Sequence, residues 1–231
     1  MCCPAKTIQA RPLRSLAAAF VLTVWWAFTA GCHRSATQSQ SSVVIADSVA
    51  GFSDQQGTNG WSYGYWDRSA GPEKSYSQTT DFQLLKHFGP DPINRLSSRP
   101  EFATGQLWTL KDGTYYTSLW AEGGHPNSAM QLGQHQPAEH WVARRWVSTV
   151  DGPVTISGYA GKVMPWGENW WGGCQALIVV DGETVFSAAM DNRGTDYSID
   201  AMVRVGSLVD FLIGPGPTVG VTKFTATIRT P

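Results

Sequence analysis

Trp141-Val142-Ala143-Arg144-Arg145-Trp146-Val147-Ser148-Thr149 is the stretch around which the rest of the chain is arranged. It is β-branched and aromatic, holds no Gly or Pro, and runs into the turn Asp151-Gly152-Pro153. Those are the marks of a β-strand. Alternation puts Trp141, Ala143, Arg145 and Val147 on one face and Val142, Arg144, Trp146 and Ser148 on the other. A strand with large groups on both faces belongs in the middle of a sheet. It is therefore expected to carry an arginine that is at least partly buried. An unpaired buried charge is very unfavourable, so an acid elsewhere must meet it. Asp67 and Asp210, both at strand ends, are expected to form the structural ion pair with Arg144 or Arg145.

Reading outward, 175–180 and 184–188 form a hairpin across Asp181-Gly182, a strong type I′ turn signal. Residues 154–157, 197–205, 208–213 and 223–229 complete a second half made of strands. In the first half, Asn59-Gly60 is a turn dipeptide. The aromatic strand that follows it sets Trp61, Tyr63 and Tyr65 on one face, with Gly64 allowing close approach. Residues 106–110 and 114–120 read as short strands around Asp112-Gly113. Residues 68–105 are punctuated by Gly-Pro, Asp-Pro and Arg-Pro steps and read as loop, with 81–87 a strand or a single helical turn. Residues 123–139 read as a second long loop. No amphipathic helix and no solenoid repeat is visible. The expected fold is all-β: a two-sheet antiparallel β-sandwich of jelly-roll type, in one domain.

Composition agrees. Charged residues make up 15% of the 231, Gly and Pro together number 37, and there are eleven Trp. That is the profile of an extracellular β protein. The formal net charge is −1, with no Lys/Arg cluster, which argues against a nucleic-acid partner.

Lys6, Arg11 and Arg14 precede an apolar run over 16–30, the n- and h-regions of a signal peptide, and the run is short for a membrane span. Removing those three basic residues leaves 14 basic against 18 acidic. Residues 33–42 are rich in Ser, Gln and Thr and read as a flexible tether. The expected organisation is a signal peptide over 1–31, a Cys32-led tether over 32–45, and the sandwich over 46–231, with folded chain starting between 43 and 49.

Two resemblances follow from these residues. Phe28-Thr29-Ala30-Gly31-Cys32 resembles the lipobox of bacterial lipoproteins, in which the Cys is lipidated and becomes the first residue. Thr29 departs from the usual aliphatic residue there. The resemblance implies lipidation at Cys32, membrane attachment through that anchor only, and placement in the cell envelope, with the outer membrane suggested by a non-acidic residue at position 33. Cleavage by the ordinary signal peptidase and a retained N-terminal helix are the other two readings. With Cys32 lipidated, only Cys174 remains of the four cysteines in the mature chain, and no internal disulfide is expected.

The second resemblance rests on Phe52-Ser53 with Gln56-Gly57, Asn59-Gly60-Trp61, Tyr63-Gly64-Tyr65, His125-Pro126, Arg144-Arg145-Trp146, Val209-Asp210-Phe211 and the final strand from Phe224 to Ile228. Together these are similar to jelly-roll domains of secreted bacterial proteins that resemble carbohydrate-binding modules. Such domains often accompany glycan-degrading enzymes, which implies a polysaccharide or glycan partner by association. Ser207 stands where relatives tend to have Asp.

The residues themselves give a parallel reading. Catalytic motifs are missing: no Gly-x-Ser-x-Gly, no His-Glu-x-x-His, no P-loop and no dinucleotide fingerprint. His125, His135 and His140 fall within sixteen residues, but their spacing matches no standard metal site. Asp191-Asn192-Arg193-Gly194-Thr195-Asp196 reads as a turn or a poor calcium loop. No metal and no cofactor is expected. The strongest functional signal is the loop holding Trp166, Glu168, Asn169, Trp170 and Trp171, because exposed rings stack on sugar C–H faces while Glu and Asn hydrogen-bond to hydroxyls. His125 joins these as a candidate ligand contact. The expectation is an envelope-anchored, non-catalytic glycan-binding domain. Its alternatives are an envelope assembly factor with a protein partner, and a small polysaccharide hydrolase or lyase using His125 or His140 with an arginine.

Overall fold

The computed structural model describes residues 42–69, 71, 74–91, 105–110, 113–130, 135–163, 173–216 and 219–231. They fall in the unit Gln40–Pro231; the unit Met1–Ser39, with Cys32 and the stretch expected to be a signal peptide, lies outside the described residues. The chain runs through β1 (Val43–Asp47), β2 (Trp61–Asp67), β3 (Gln83–Leu84), β4 (His87–Pro90), β5 (Gln106–Thr109), β6 (Ser118–Trp120) and β7 (Gly123–His125). It continues through β8 (His140–Val147), β9 (Gly152–Lys162), β10 (Cys174–Val180), β11 (Glu183–Met190), β12 (Thr195–Val203), β13 (Leu208–Gly214) and β14 (Thr222–Thr230).

These strands make two antiparallel sheets. One is ordered β12-β9-β14-β7-β6-β5-β4, with β1 also on β14; the other is ordered β11-β10-β13-β8-β2-β3. From β8 onward the chain crosses between sheets at every connection except the β10–β11 hairpin, whose turn residues Asp181 and Gly182 take φ 47° and 90°. This is a two-sheet sandwich of jelly-roll type. Its first strand begins at Val43, ahead of position 46, because Val43 pairs with Thr230.

β8 lies between β13 and β2. Its inner side chains, Val142 and Trp146, join Trp61 and Tyr63 of β2 and Val209, Phe211 and Ile213 of β13 in the main core. Ile156 and Ala160 of β9 and Phe224, Ala226 and Ile228 of β14 belong to that core from the facing sheet. The outer face of β8 is buried as well: Trp141 and Ala143 pack with Trp66, Val179 and Leu212. The cover there includes residues 74–82. Tyr76 and Phe82 pack on that outer cluster. The Gln78 amide donates to the carbonyls of Val179 (3.2 Å) and Leu208 (3.1 Å) and accepts from Gly182 N–H (2.5 Å). A covering segment of that kind explains why β8 needs large groups on both faces.

Two stretches expected to be loop contain strands. β7 lies within 123–139 and β4 within 68–105, while β3 falls inside 81–87, where a strand or a single helical turn is expected. β7 shows no alternation because Gly123 and Gly124 have no side chains to alternate. The glycine at 123 is required by contact with β14: a Cβ there would stand 1.9 Å from the Thr222 carbonyl oxygen.

Candidate functional site

Of the two arginines of β8, Arg145 meets an acid. It pairs with Asp210 across the β8–β13 ladder, and both point to the outer face. Arg145 Nε donates to Asp210 Oδ1 and Nη2 to Oδ2, each at 2.7 Å. Nη2 also donates to the Gln78 carbonyl at 2.6 Å, and the guanidinium lies 3.9 Å from the Phe82 ring centroid. Asp210 is fully buried and accepts a further bond from the Tyr76 hydroxyl at 2.6 Å. Burial works against the Arg145 charge, but the hydrogen bonds and charge of Asp210 outweigh it and hold the guanidinium more firmly protonated than usual. Burial, followed by the Asp210 carboxylate, keeps the Tyr76 phenol protonated.

Arg144 does otherwise. It points between the sheets, is 2% exposed, and donates Nη2 to the carbonyls of Trp120 (2.7 Å) and Ala121 (3.0 Å). Its Nε and Nη1 find no acceptor among the described residues, and burial lowers its pKa. Asp210 is unavailable to it because adjacent strand residues face opposite ways. Asp67 is also remote: it pairs with His140, four residues along β8 from Arg144, which is about 13 Å of strand. Asp67 meets no arginine among the described residues. The expectation of an ion pair at Arg144 or through Asp67 is corrected on these grounds.

Asp67 belongs instead to the end of the sandwich where β8 begins. Alternation along β2 carries Tyr65 and Asp67 to the inner side, facing His140. The His140 ring sits between two phenol rings, with centroids 5.3 Å from Tyr65 and 4.7 Å from Tyr115, both edge-on. Its Nδ1 lies 2.8 Å from Thr117 Oγ1, and its Nε2 lies 3.8 Å from Asp67 Oδ1. His140 is 4% exposed while the two tyrosines are partly exposed and Asp67 is exposed. Burial lowers the His140 pKa below its ordinary 6.5, with Asp67 acting in the opposite direction. The imidazole is therefore neutral near pH 7.

A second aromatic group adjoins it. Tyr116 stacks on His125 at 4.6 Å and meets His135 at 3.8 Å, centroid to centroid. Both imidazoles donate Nδ1–H to backbone carbonyls: His125 to Pro126 at 2.7 Å and His135 to Gly113 at 2.8 Å. Asn127, fully buried, ties these segments together. Its Oδ1 accepts from Tyr116 N–H at 3.0 Å, and its Nδ2 donates to the carbonyls of Gln136 (3.0 Å) and Ala138 (2.8 Å). Its backbone exchanges two bonds of 3.0 Å with His140.

Val163, the last described residue before the tryptophan-bearing stretch, lies at this same end. Val163, which follows β9, donates to the Val221 carbonyl at 2.9 Å, and the β14–β7 register places His125 on the other side of Val221. Residues 164–172, with Trp166, Glu168, Asn169, Trp170 and Trp171, lie outside the described residues. Sequence reading did not single out Tyr115, Tyr116, Asn127 or the Arg68–Glu139 ion pair (2.7 Å) at this end. The Tyr115-Tyr116 doublet inside a polar stretch was the available signal.

Chemically, the described residues of this end offer partly exposed aromatic rings, the neutral imidazole of His140 and the exposed carboxylate of Asp67. Thr117, His140 and Asp67 are ordered like a hydrolytic triad, but Thr117 is fully buried and no substrate reaches its hydroxyl. Neither β8 arginine serves a catalytic reading at this end, since Arg145 is held by Asp210 and Arg144 by interior carbonyls. No group of three or more potential metal-ligating His, Cys, Asp or Glu occurs among the described residues. Asp191 Oδ1 caps its own turn, accepting from Arg193 N–H (2.9 Å) and Gly194 N–H (3.1 Å). Cys174 is fully buried, and burial pushes its thiol up to about 11, so it is unreactive. A depression of about 590 Å³ at the opposite end of β9 is lined by Asp151, Gly152, Asp181, Met202, Val203 and Arg204. Its two carboxylates are occupied by turn contacts: Asp151 accepts from Val205 N–H, and Asp181 from Ser207 Oγ and Leu208 N–H.

No family model matches the chain, and no curated protein matches it. Among solved structures it is similar to a family 35 carbohydrate-binding module from Clostridium thermocellum, at 12% identity and TM-score 0.30, over 53% of this chain and 85% of that one. A family 35 module from an environmental isolate aligns at 7% identity and TM-score 0.34, over 72% of this chain and 96% of that one. A β-glucosidase from Kluyveromyces marxianus aligns at 12% identity and TM-score 0.33; this chain spans 19% of that enzyme. Likenesses of this size add nothing to the sheet order, which rests on the strand pairing itself.

Proposed function

We propose that the chain is an envelope-anchored glycan-binding domain that takes sugar at the His140 end of the sandwich. One observation carries this reading. Chain segments far apart in sequence bring the partly exposed rings of Tyr65 and Tyr115, the buried imidazole of His140 and the exposed carboxylate of Asp67 to one place. Aromatic faces receive the C–H faces of sugars, and carboxylates and imidazoles hydrogen-bond to their hydroxyls. In sequence, residues 164–172 with their three tryptophans follow Val163, a described residue of the same end. The similarity of Phe52–Tyr65 and Arg144-Arg145-Trp146 to secreted jelly-roll domains supports the reading.

The test is a glycan array probed with the detergent-solubilised full chain, followed by paired measurements on Tyr115→Ala and Trp170→Ala. Each variant is expected to keep its melting temperature and lose on the order of 2 kcal/mol of affinity, a hot-spot effect. Variants that unfold early, or that bind like the wild type, remove these residues from the site. An array without a signal refutes glycan binding.

Anchoring is proposed at Cys32, on the apolar run ending Ala30-Gly31-Cys32, with the outer membrane as destination. Labelled palmitate is expected to enter the wild type and not Cys32→Ala. Equal labelling of the two contradicts the anchor. No helix among the described residues is long and apolar enough to cross a membrane.

A further inference from the structure

Glycans divide by charge into acidic, neutral and amino sugars, and the mouth around His140 discriminates between them. Asp67 ends β2 with its side chain 43% exposed. Its basic neighbour among the described residues is His140, 3.8 Å away. That distance is too long for a direct hydrogen bond, and burial keeps the imidazole neutral at physiological pH. Next along the chain, Arg68 is turned to Glu139 at 2.7 Å, so its charge is cancelled locally. The other ionisable groups facing the mouth among the described residues are the phenols of Tyr65 from β2, which burial holds protonated, and Tyr115 from the segment before β6. The described part of the mouth therefore carries one exposed negative charge and no uncommitted positive one.

We infer that the mouth formed by Tyr65, Asp67, Tyr115 and His140 selects amino and neutral sugars against uronic acids, seating a glucosamine-type ring with its ammonium on Asp67. This rests on the glycan-binding reading and names the ligand class of that same site. The gap of 3.8 Å between His140 Nε2 and Asp67 Oδ1 accepts one bridging hydroxyl or ammonium in contact with both. An ammonium gains the attraction of an exposed carboxylate, a modest amount in water. A uronate brings a second negative charge to the same place, and Arg68, the guanidinium beside it among the described residues, is engaged by Glu139. Discrimination comes from the repulsion as much as from the attraction.

The experiment measures affinity of the full chain for hexasaccharides of glucose, glucosamine and galacturonate, in low salt at pH 6.5, where the His140 imidazole, its pKa lowered below that value by burial, is mostly neutral. The expected order is glucosamine about fivefold tighter than glucose, and galacturonate at least about fivefold weaker than glucose. Raising the salt shrinks both ratios. In Asp67→Asn the glucosamine-to-glucose ratio falls to about one, a comparison made within one variant and so independent of any general loss of affinity. Galacturonate bound as tightly as either other hexamer overturns the inference while leaving glycan binding intact. A glucosamine preference that survives Asp67→Asn also overturns it. Failure of all three hexamers to bind overturns it together with the glycan-binding reading.

Discussion

Replacing Arg145 with alanine is expected to destabilise the domain by about 3–5 kcal/mol, the cost of breaking a buried ion pair from one side. The side matters. Asp210 is fully buried, and Arg145 supplies two of its three side-chain hydrogen bonds; the third comes from Tyr76. Without the guanidinium, a carboxylate is left inside with one hydroxyl donor. Arg145 also donates to the Gln78 carbonyl and lies over Phe82, so its loss loosens the segment that covers Trp66 and Trp141. Asp210→Ala is expected to cost less, because the surviving guanidinium, 14% exposed, keeps the Gln78 carbonyl and some water. Arg145→Met combined with Asp210→Leu is expected to recover most of the loss, since apolar side chains of similar volume replace a buried pair with little penalty. Urea unfolding of the three variants checks the order. If Arg145→Ala unfolds within a few tenths of a kcal/mol of the wild type, the pair contributes nothing.

Asn127→Asp is expected to cost on the order of 4 kcal/mol, despite keeping shape and volume. The Asn127 amide donates to two carbonyls, Gln136 at 3.0 Å and Ala138 at 2.8 Å. A carboxylate has no hydrogen to give either, and it sets a negative oxygen against each. Each buried polar group left unpaired costs about 1–3 kcal/mol, and an unpaired buried charge adds to that. The same side chain accepts from Tyr116 N–H, so the variant also releases the segment carrying Tyr115 and Tyr116. Asn127→Asp is thus expected to reduce stability and sugar binding together, whereas Tyr115→Ala reduces binding alone. Thermal melts and affinities on both variants check the distinction. An Asn127→Asp protein with wild-type stability would falsify the role of this amide.

Much of the sandwich was legible in the residues, for particular reasons. β8 was readable because both faces carry large side chains in strict alternation, and the covering segment over its outer face accounts for that pattern. The β10–β11 hairpin was readable because only a few residues accept the positive φ found at Asp181 and Gly182. β7 escaped because glycines carry no hydrophobic signal; close approach to Thr222 selects them. β4, of four residues, is too short for periodicity to register, and β3, of two, left 81–87 readable as either a strand or a helical turn. The site was less legible than the fold. Loop His residues were visible as a cluster in sequence, yet nothing in their spacing told that His140 would meet Tyr65, 75 positions earlier. Which acid meets which arginine depended on strand register, and register put Asp210 beside Arg145 while Arg144 turned inward to carbonyls. Asn127 was unreadable because its two partner segments, at Tyr116 and at 136–140, converge on it only in the folded chain.

The most direct test of glycan binding at the His140 end is a two-dimensional amide NMR titration of the nitrogen-labelled protein with the sugar that gives the strongest array signal. Shifts are expected to concentrate at Tyr65, Asp67, Tyr115, Tyr116 and His140 and in residues 164–172, with Asp151, Asp181 and Arg204 at the other end unmoved. Shifts that centre on Asp151, Asp181 and Arg204, or that spread evenly without saturating, would contradict it.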